Sequence, residues 1–267
     1  MIGLIIVKVF ITVVVVITLS IVAEHVGPRV AGLLSGYPLG AAIALFFYGL
    51  EISPEFASQS SIYTMLGLIS IASFAFFYYL STLIFRRFPV FMASLVAVSG
   101  FFLVSWILHH LTLGKLGTVI VTVTAIISFV FLFRKIPDER IENRIVFTFR
   151  VLLLRAFIAA SFIVVITGTA RIVGTSWAGL FSAFPTTLFP LLLIMHLTYD
   201  RKHVHTVIKN FPIGLGSLVF YSLSVSVSYP AFGIYAGTVL SFGVATLYLL
   251  FYQFFVYRYV QARGVSG

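Results

Sequence analysis

Two basic residues stand inside hydrophobic segments, where a charge is costly. Lys8 interrupts the first apolar block, and Arg155 interrupts residues 151–170, VLLLRAFIAASFIVVITGTA. Each lies about 9–13 Å deep at 1.5 Å per residue, and a cation at a bilayer centre costs on the order of 3 kcal/mol, so such residues usually face an interior or a cavity. This position favours contact with an anion or an anionic headgroup. Snorkelling of the long side chain to the nearer interface is the alternative.

Two short motifs each place a proline after small residues inside an apolar segment. Residues 30–38 read VAGLLSGYP, and residues 177–185 read WAGLFSAFP. A proline inside a helix removes an N–H and clashes with the preceding turn, so we expect breaks at Pro38 and Pro185. Freed carbonyls and a half-helix N-terminus can face a ligand, although an ordinary kink in a packed bundle is the alternative. With Lys8 and Arg155, the candidate substrate-binding residues are Gly32, Ser35, Pro38, Gly179, Ser182, Pro185, Thr186 and Thr187.

A third pattern could carry acid–base or metal chemistry. His196, Asp200 and His203 follow i, i+4, i+7 spacing, which places them on one helix face if the helix continues that far. Such a face would suit an intramembrane enzyme. The alternative is a basic, polar helix end, since Arg201 and Lys202 stand beside it. No nucleophile or further ligand is evident and the chain has no cysteine, so we expect no catalytic residue, metal or cofactor.

Acidic residues are few and stand near the ends of apolar segments or in loops. The seven are Glu24, Glu51, Glu55, Asp138, Glu139, Glu142 and Asp200. We therefore expect no carboxylate to neutralise Lys8 or Arg155, and none to carry a coupling proton in the middle of the membrane.

The composition around these residues is that of a membrane protein. Of 267 residues, 61% are hydrophobic and only 9% charged, whereas soluble domains are about half apolar and a quarter charged. The apolar blocks have about 20 residues, the length that crosses a hydrocarbon core of roughly 30 Å. The net charge of +10 arises between these blocks and not in a polar, basic run, which excludes nucleic acid as a partner. We predict an all-α integral membrane protein.

Hydropathy predicts about nine spans, and the basic residues orient them. The spans are 2–24, 30–50, 61–85, 89–109, 116–133, 147–170, 175–198, 211–228 and 230–257. Apart from Lys8 and Arg155, thirteen basic residues fall on one side: Arg29, Arg86, Arg87, Arg134, Lys135, Arg140, Arg144, Arg150, Arg201, Lys202, Lys209, Arg258 and Arg263. Only Lys115 and Arg171 fall on the other. The positive-inside rule places the protein in the cell (inner) membrane with an external N-terminus and a cytoplasmic C-terminus.

The chain repeats itself with an offset of 147 residues. This offset superposes the two proline motifs, Gly27 on Gly174, and Lys8 on Arg155. We therefore divide the chain into repeat 1 (1–114, four spans), a linking span with a cytoplasmic loop (115–146), and repeat 2 (147–267, four spans). An odd linking span inverts the second copy, so the arrangement is 4+1+4, the pattern of many secondary transporters.

The second motif resembles a known family. Residues 178–196, AGLFSAFPTTLFPLLLIMH, are similar to the IAGLxxxFPTxxLxxH motif of the small GlpM-type membrane proteins. That resemblance implies two fused copies, each of about four spans with an early basic residue in the first. The first half departs from it, with Leu-Gly at 39–40 where Thr-Thr stands at 186–187. Residues 35–45, SGYPLGAAIAL, bear a weaker similarity to PGxGP-type elements of tricarboxylate transporters.

These features predict a secondary transporter or facilitator for a small anion, bound near the midplane between the broken helices with Lys8 and Arg155 as counter-charges. The first alternative is a flippase for a polyprenyl-phosphate-type anionic lipid, which the 29 phenylalanines and the lack of a coupling acid favour. An enzyme using His196, Asp200 and His203 is the third reading, and a structural subunit is the fourth. We expect the protein to be surrounded by membrane lipids, and the sequence leaves open whether it forms a homo-oligomer.

Overall fold

The described chain is helical throughout its regular elements. The computed structural model covers residues 2–85, 87–136, 149–199 and 201–257, with side chains at all of these except 2, 19–29, 149–151, 154–155 and 255–257. In chain order the helices are α1 (Ile2–Ser35), α2 (Leu39–Glu51), α3 (Pro54–Ile84), α4 (Pro89–His109), α5 (Lys115–Phe133), α6 (Phe149–Ser182), α7 (Leu188–Thr198), α8 (Arg201–Phe251) and a π-helical turn (Tyr252–Tyr257). The predicted all-α class is confirmed for these residues.

Six segments of the described chain are long and apolar enough to cross a membrane. They are Val30–Glu51, Pro54–Ile84, Pro89–His109, Lys115–Phe133, Ala156–Ser182 and Arg201–Phe254, and two shorter apolar helices are Gly3–Thr18 and Leu188–Thr198. The outer helices α4 and α5 expose large apolar side chains such as Leu103, Leu116 and Phe131. An apolar surface of this kind suits contact with lipid, and these segments are compatible with a multi-pass membrane protein.

Both proline motifs interrupt a helix, as predicted. The chain leaves the helix after Ser35 and resumes it at Leu39, and it does so again between Ser182 and Leu188. Short backbone hydrogen bonds close each break, and the same four bonds recur 147 residues later. They run from N of Gly36, Tyr37, Leu39 and Ala42 to O of Leu33, Leu34, Tyr37 and Pro38, and from N of Ala183, Phe184, Thr186 and Phe189 to O of Leu180, Phe181, Phe184 and Pro185.

A glycine reverses the chain within α8. Gly233 has φ 75° and ψ 176°, a conformation that essentially only glycine adopts. Residues 201–232 and 234–251, on either side of this glycine, then lie next to each other. The contact between them is seen at Tyr229, whose hydroxyl is 2.7 Å from Oγ1 of Thr238. We call these the first and second limbs of α8. The predicted division between the eighth and ninth spans falls at this turn.

Gly174 makes the same kind of turn within α6, with φ 76° and ψ 174°. Residues 175–182 double back along residues 149–173, so that the rings of Phe162 and Phe184 stack with centroids 3.8 Å apart. The short returning segment is the first half of the helix that Pro185 interrupts.

Helices α1 and α6 pack antiparallel to each other. Lys8 near the start of α1 meets Thr167 late in α6, whereas Val16 packs against Ala156 and Ala159 earlier in α6. Around this pair, α3 packs against α6 and α8 against α1, and α5 lies against both α3 and α8.

Two helices begin earlier than hydropathy predicts. The first limb of α8 starts at Arg201 instead of about 211, because Val204, Val207 and Ile208 bury one face of a stretch whose other face is polar. Helix α3 starts at Pro54 instead of about 61, because the Ser53 hydroxyl accepts a hydrogen bond from the Phe56 N–H at 3.1 Å and caps it. Hydropathy averages over polar residues and misses both starts.

Candidate functional site

The two broken helices touch each other at their breaks. The Thr187 hydroxyl donates to the carbonyl oxygen of Ser35 across 3.0 Å. Gly40 sits against Oγ1 of Thr186 with no room for a side chain between them. The expectation that the interrupted segments pack together is confirmed by these contacts, which join the start of α2 to the start of α7.

Hydroxyl groups surround the breaks and satisfy the backbone that the prolines free. The Ser217 hydroxyl donates to the carbonyl oxygen of Gly36 at 3.1 Å, and Oγ1 of Thr64 lies 2.8 Å from Oγ of Ser182. Polar backbone at this depth is tolerated where side chains or water satisfy it. The buried hydroxyl residues of this cluster are Ser35, Thr64, Ser182, Thr186, Thr187 and Ser217.

Two helix N-termini point into this hydroxyl cluster. Within the described residues, neither α2 nor α7 has a side-chain hydrogen bond capping its N-terminus, and neither has an acidic residue in its first turn. A helix N-terminus carries a positive partial charge and free N–H groups, which favour an anion. The breaks therefore bring two electropositive helix ends beside a set of hydroxyl groups, most of which donate to backbone carbonyls, with no charged side chain described among them.

Glycines let the first half of each broken helix lie directly on a neighbouring backbone. A Cβ built on Gly32 would lie 2.5 Å from the carbonyl oxygen of Val207 in α8, and Gly179 sits as closely against the carbonyl oxygen of Ser60 in α3. Close backbone approach of this kind is the usual role of small residues in membrane helices. Gly32 and Gly179 thus act through packing, and they position the breaks that follow them.

Lys8 is buried against an acid that the sequence argument did not pair with it. Its ammonium lies 2.7 Å from Oε1 of Glu51 and donates hydrogen bonds to Oε2 of Glu51 at 2.9 Å and Oγ1 of Thr167 at 2.8 Å. The ring of Phe47 lies 5.4 Å from the same nitrogen. The Lys8 side chain is 5% exposed and the Glu51 side chain 21%. The expectation that no acid neutralises Lys8 was therefore wrong.

Arg171 binds the same end of α2. Its guanidinium donates to the backbone carbonyl oxygen of Glu51, which is one of the carbonyls left open at the helix C-terminus. A cation there also interacts favourably with the helix dipole. Lys8 and Arg171 thus fix the end of α2 from α1 and α6.

The pairing of Lys8 with Glu51 follows from topology and could have been found in the sequence. Lys8 lies just inside the start of the first span, and Glu51 closes the second span, which returns to the same membrane face. The position of Glu51 at a span end predicts exposure to water. The returning helix instead places this acid beside the only cation at that depth among the described side chains of α1.

The structure separates Lys8 from the breaks. Phe47, its aromatic neighbour, is eight residues beyond Leu39, which is about 12 Å along α2 at 1.5 Å per residue. Lys8 and the two proline breaks therefore lie at different levels of the molecule, and their joint role in one substrate path stays a prediction. Arg155 lies in α6, but its side chain is outside the described ones.

The histidine pattern does not form one helix face. Helix α7 ends at Thr198, Tyr199 is extended with φ −123° and ψ −170°, and α8 begins at Arg201. Because the helix stops, His196 and His203 belong to different helices, and His196 Nδ1 lies 3.2 Å from the Tyr78 hydroxyl. Asp200 is outside the described residues. No three His, Cys, Asp or Glu residues of the described chain gather closely enough to hold a metal ion.

No family model, curated protein or solved structure matches this chain. The resemblance to GlpM-type proteins and to tricarboxylate transporters therefore depends on the quoted motifs alone.

Proposed function

We propose that this chain is a secondary transporter or facilitator for a small anion. The anion binds where the breaks at Pro38 and Pro185 meet, and Lys8 and Arg155 act as counter-charges along its path. The observation that carries the proposal is the convergence of two helix N-termini on one buried hydroxyl cluster. Half-helices that point their positive ends at an anionic substrate are a recurring device of secondary transporters.

We further propose nine spans in a 4+1+4 inverted repeat, with the N-terminus outside and the C-terminus in the cytoplasm. The helix limits support it: α1 and α6 begin and end 147 residues apart, as do the starts of α3 and α8. The close glycine contacts also recur with the two halves of the chain exchanged. Gly32 against Val207 matches Gly179 against Ser60, and Gly36 against Gly214 matches Ala183 against Gly67. A two-fold relation between the halves would produce these exchanged pairs.

The experiment is transport by the purified protein in proteoliposomes, with labelled sulfate, inorganic phosphate and citrate as probes. We expect the wild-type protein to carry at least one of them faster than protein-free liposomes. Combining Thr187→Val with Ser217→Ala removes two hydroxyls that bind the break carbonyls, and we expect it to lower the rate at least tenfold. Ser128→Ala is the matched control, because that hydroxyl is exposed on α5 and bonds its own helix.

The same vesicles test the flippase alternative. A fluorescent polyprenyl phosphate in one leaflet would become accessible from the other if the chain moves an anionic lipid. Movement of the lipid without flux of any of the three anions would overturn the small-anion proposal in favour of the flippase.

A further inference from the structure

The Lys8 ammonium is enclosed by three oxygen atoms. It donates hydrogen bonds to Oε2 of Glu51 and Oγ1 of Thr167, and Oε1 of Glu51 lies 2.7 Å away as its ion-pair partner. The Thr167 hydroxyl donates its own proton to the carbonyl oxygen of Ile163 at 2.7 Å, so it can only accept from Lys8. In this state Glu51 and Thr167 occupy the positions around the Lys8 nitrogen that an anion would take.

An anion can therefore bind the Lys8 ammonium only if the Glu51 carboxylate moves away from that ammonium. Three charges together, Lys8⁺ with Glu51⁻ and a bound anion, would leave a net negative charge at a largely buried position, which is unfavourable in a low dielectric. Protonation of Glu51 removes that charge and leaves the site neutral for a monovalent anion. The Glu51 side chain is 21% exposed although its Oε1 is buried, so protons from water can reach this side chain more readily than Lys8, which stays enclosed.

On the basis of the proposed function, we propose that Glu51 couples anion binding to uptake of one proton. An anion replaces the carboxylate on the Lys8 ammonium, and Glu51 takes a proton from water to become a neutral carboxylic acid. The transporter would then be an anion–proton symporter, electroneutral for a monovalent anion.

Few other ionisable groups are near enough to take over this role. Those that the neighbouring helices present toward this end of α2 are Lys8 from α1, Glu55 from α3, Arg171 from α6 and Tyr235 from α8. Arg171 stays charged at all relevant pH values and binds the Glu51 backbone. Glu55 is exposed and is therefore the natural control.

The second half of the chain lacks the acid. At the 147-residue offset, Thr198 stands where Glu51 does, and Arg155 stands where Lys8 does. An arginine keeps its charge and a threonine has no carboxyl, so the equivalent pair of positions in the second half offers no proton site. This difference predicts one proton per transport cycle instead of two.

The test measures anion binding and proton uptake by the purified protein. Sulfate and nitrate are the probes, because neither changes its charge between about pH 5 and about pH 8. Binding is measured as the rise in melting temperature with anion concentration. Proton uptake is measured with an indicator dye in weakly buffered solution.

We expect wild-type protein to take up about one proton per bound anion, and its anion affinity to fall about tenfold per pH unit wherever that proton is taken up on binding. Glu51→Gln should bind the anion with no proton uptake and little dependence on pH. Glu55→Gln should behave as wild type. Lys8→Met combined with Glu51→Gln should bind the anion more weakly than Glu51→Gln alone, because only the site at the breaks remains. If Glu51→Gln cannot be purified, the proton count of the wild-type protein decides.

The outcomes separate this inference from the proposed function. Anion binding without proton uptake, or the same pH dependence in Glu51→Gln as in wild type, would overturn the coupling role and leave anion binding intact. Absence of any response to sulfate or nitrate, at every pH and in every variant, would overturn both.

Discussion

At the scale of single residues, Lys8 and Glu51 form an unequal pair. The ammonium is enclosed by α1, α2 and α6, whereas the carboxylate keeps partial contact with water. Removing one partner of a buried ion pair is costly because it leaves the other charge uncompensated. The cost therefore depends on which partner remains and on how much water it can reach.

The unequal exposure predicts an unequal response to substitution. Glu51→Gln leaves a buried cation and should lower the free energy of unfolding by about 3 kcal/mol. Lys8→Met leaves a carboxylate that can hydrate, and should cost only about 1 kcal/mol. Unfolding by denaturing detergent, with the double variant closing the thermodynamic cycle, measures both. A larger loss for Lys8→Met than for Glu51→Gln would contradict the burial described here.

At the scale of helices, Gly32 and Gly179 set how closely the broken helices approach their neighbours. A methyl group on Gly179 would meet the Ser60 carbonyl, which belongs to a helix backbone and cannot move away alone. We expect Gly179→Ala to cost about 1–3 kcal/mol through overpacking. Gly243→Ala is the control, because nothing lies within 4 Å of its added Cβ. Equal stability of the two variants in the detergent titration would rule out the close contact.

The turn glycine of α8 isolates a different effect. A Cβ on Gly233 also meets nothing within 4 Å, but the residue has φ +75°. Gly233→Ala should therefore cost on the order of 1–3 kcal/mol through backbone strain alone. The same titration, run beside Gly243→Ala, separates strain from packing. A neutral Gly233→Ala would mean that residues 201–232 and 234–251 do not turn back at this glycine.

The helix level is also where sequence reasoning was most and least successful. The helix breaks at Pro38 and Pro185 can be predicted from the local sequence, because the missing N–H and the proline ring act within one helical turn. The end of α7 at Thr198 has a weaker local sign: Asp200 is a residue type that favours helix N-caps, and hydropathy does not register it. The pairing of Lys8 with Glu51 depends on how helices return to one membrane face, which only a topological argument can supply.

At the scale of the whole molecule, the proposed topology places the two halves in opposite orientation. Because the chain has no cysteine, single cysteines can be introduced without background. Glu55→Cys should react with an impermeant thiol reagent from outside the cell, and Asp138→Cys only after the cytoplasmic face is opened. Labelling of both from one side would overturn the orientation and the inverted repeat with it.

The proposed opposite orientation would give the breaks a role in alternating access. In that topology each break follows a half-helix that enters from a different face, and the two breaks meet at one buried hydroxyl cluster. In the described structure Thr186 is 5% exposed, so this state is closed to water at the breaks. Transport then requires that the two halves separate on one face and then on the other.

The most direct test of this account is thiol accessibility at the break itself. Thr186→Cys in proteoliposomes should react with impermeant reagents from either side, and a transported anion should slow both reactions. Ala97→Cys, buried between α3 and α4, should not react from either side. A path between the broken helices would be contradicted if the Thr186→Cys protein transports an anion but is labelled from neither side. Labelling that the transported anion does not affect would contradict it as well.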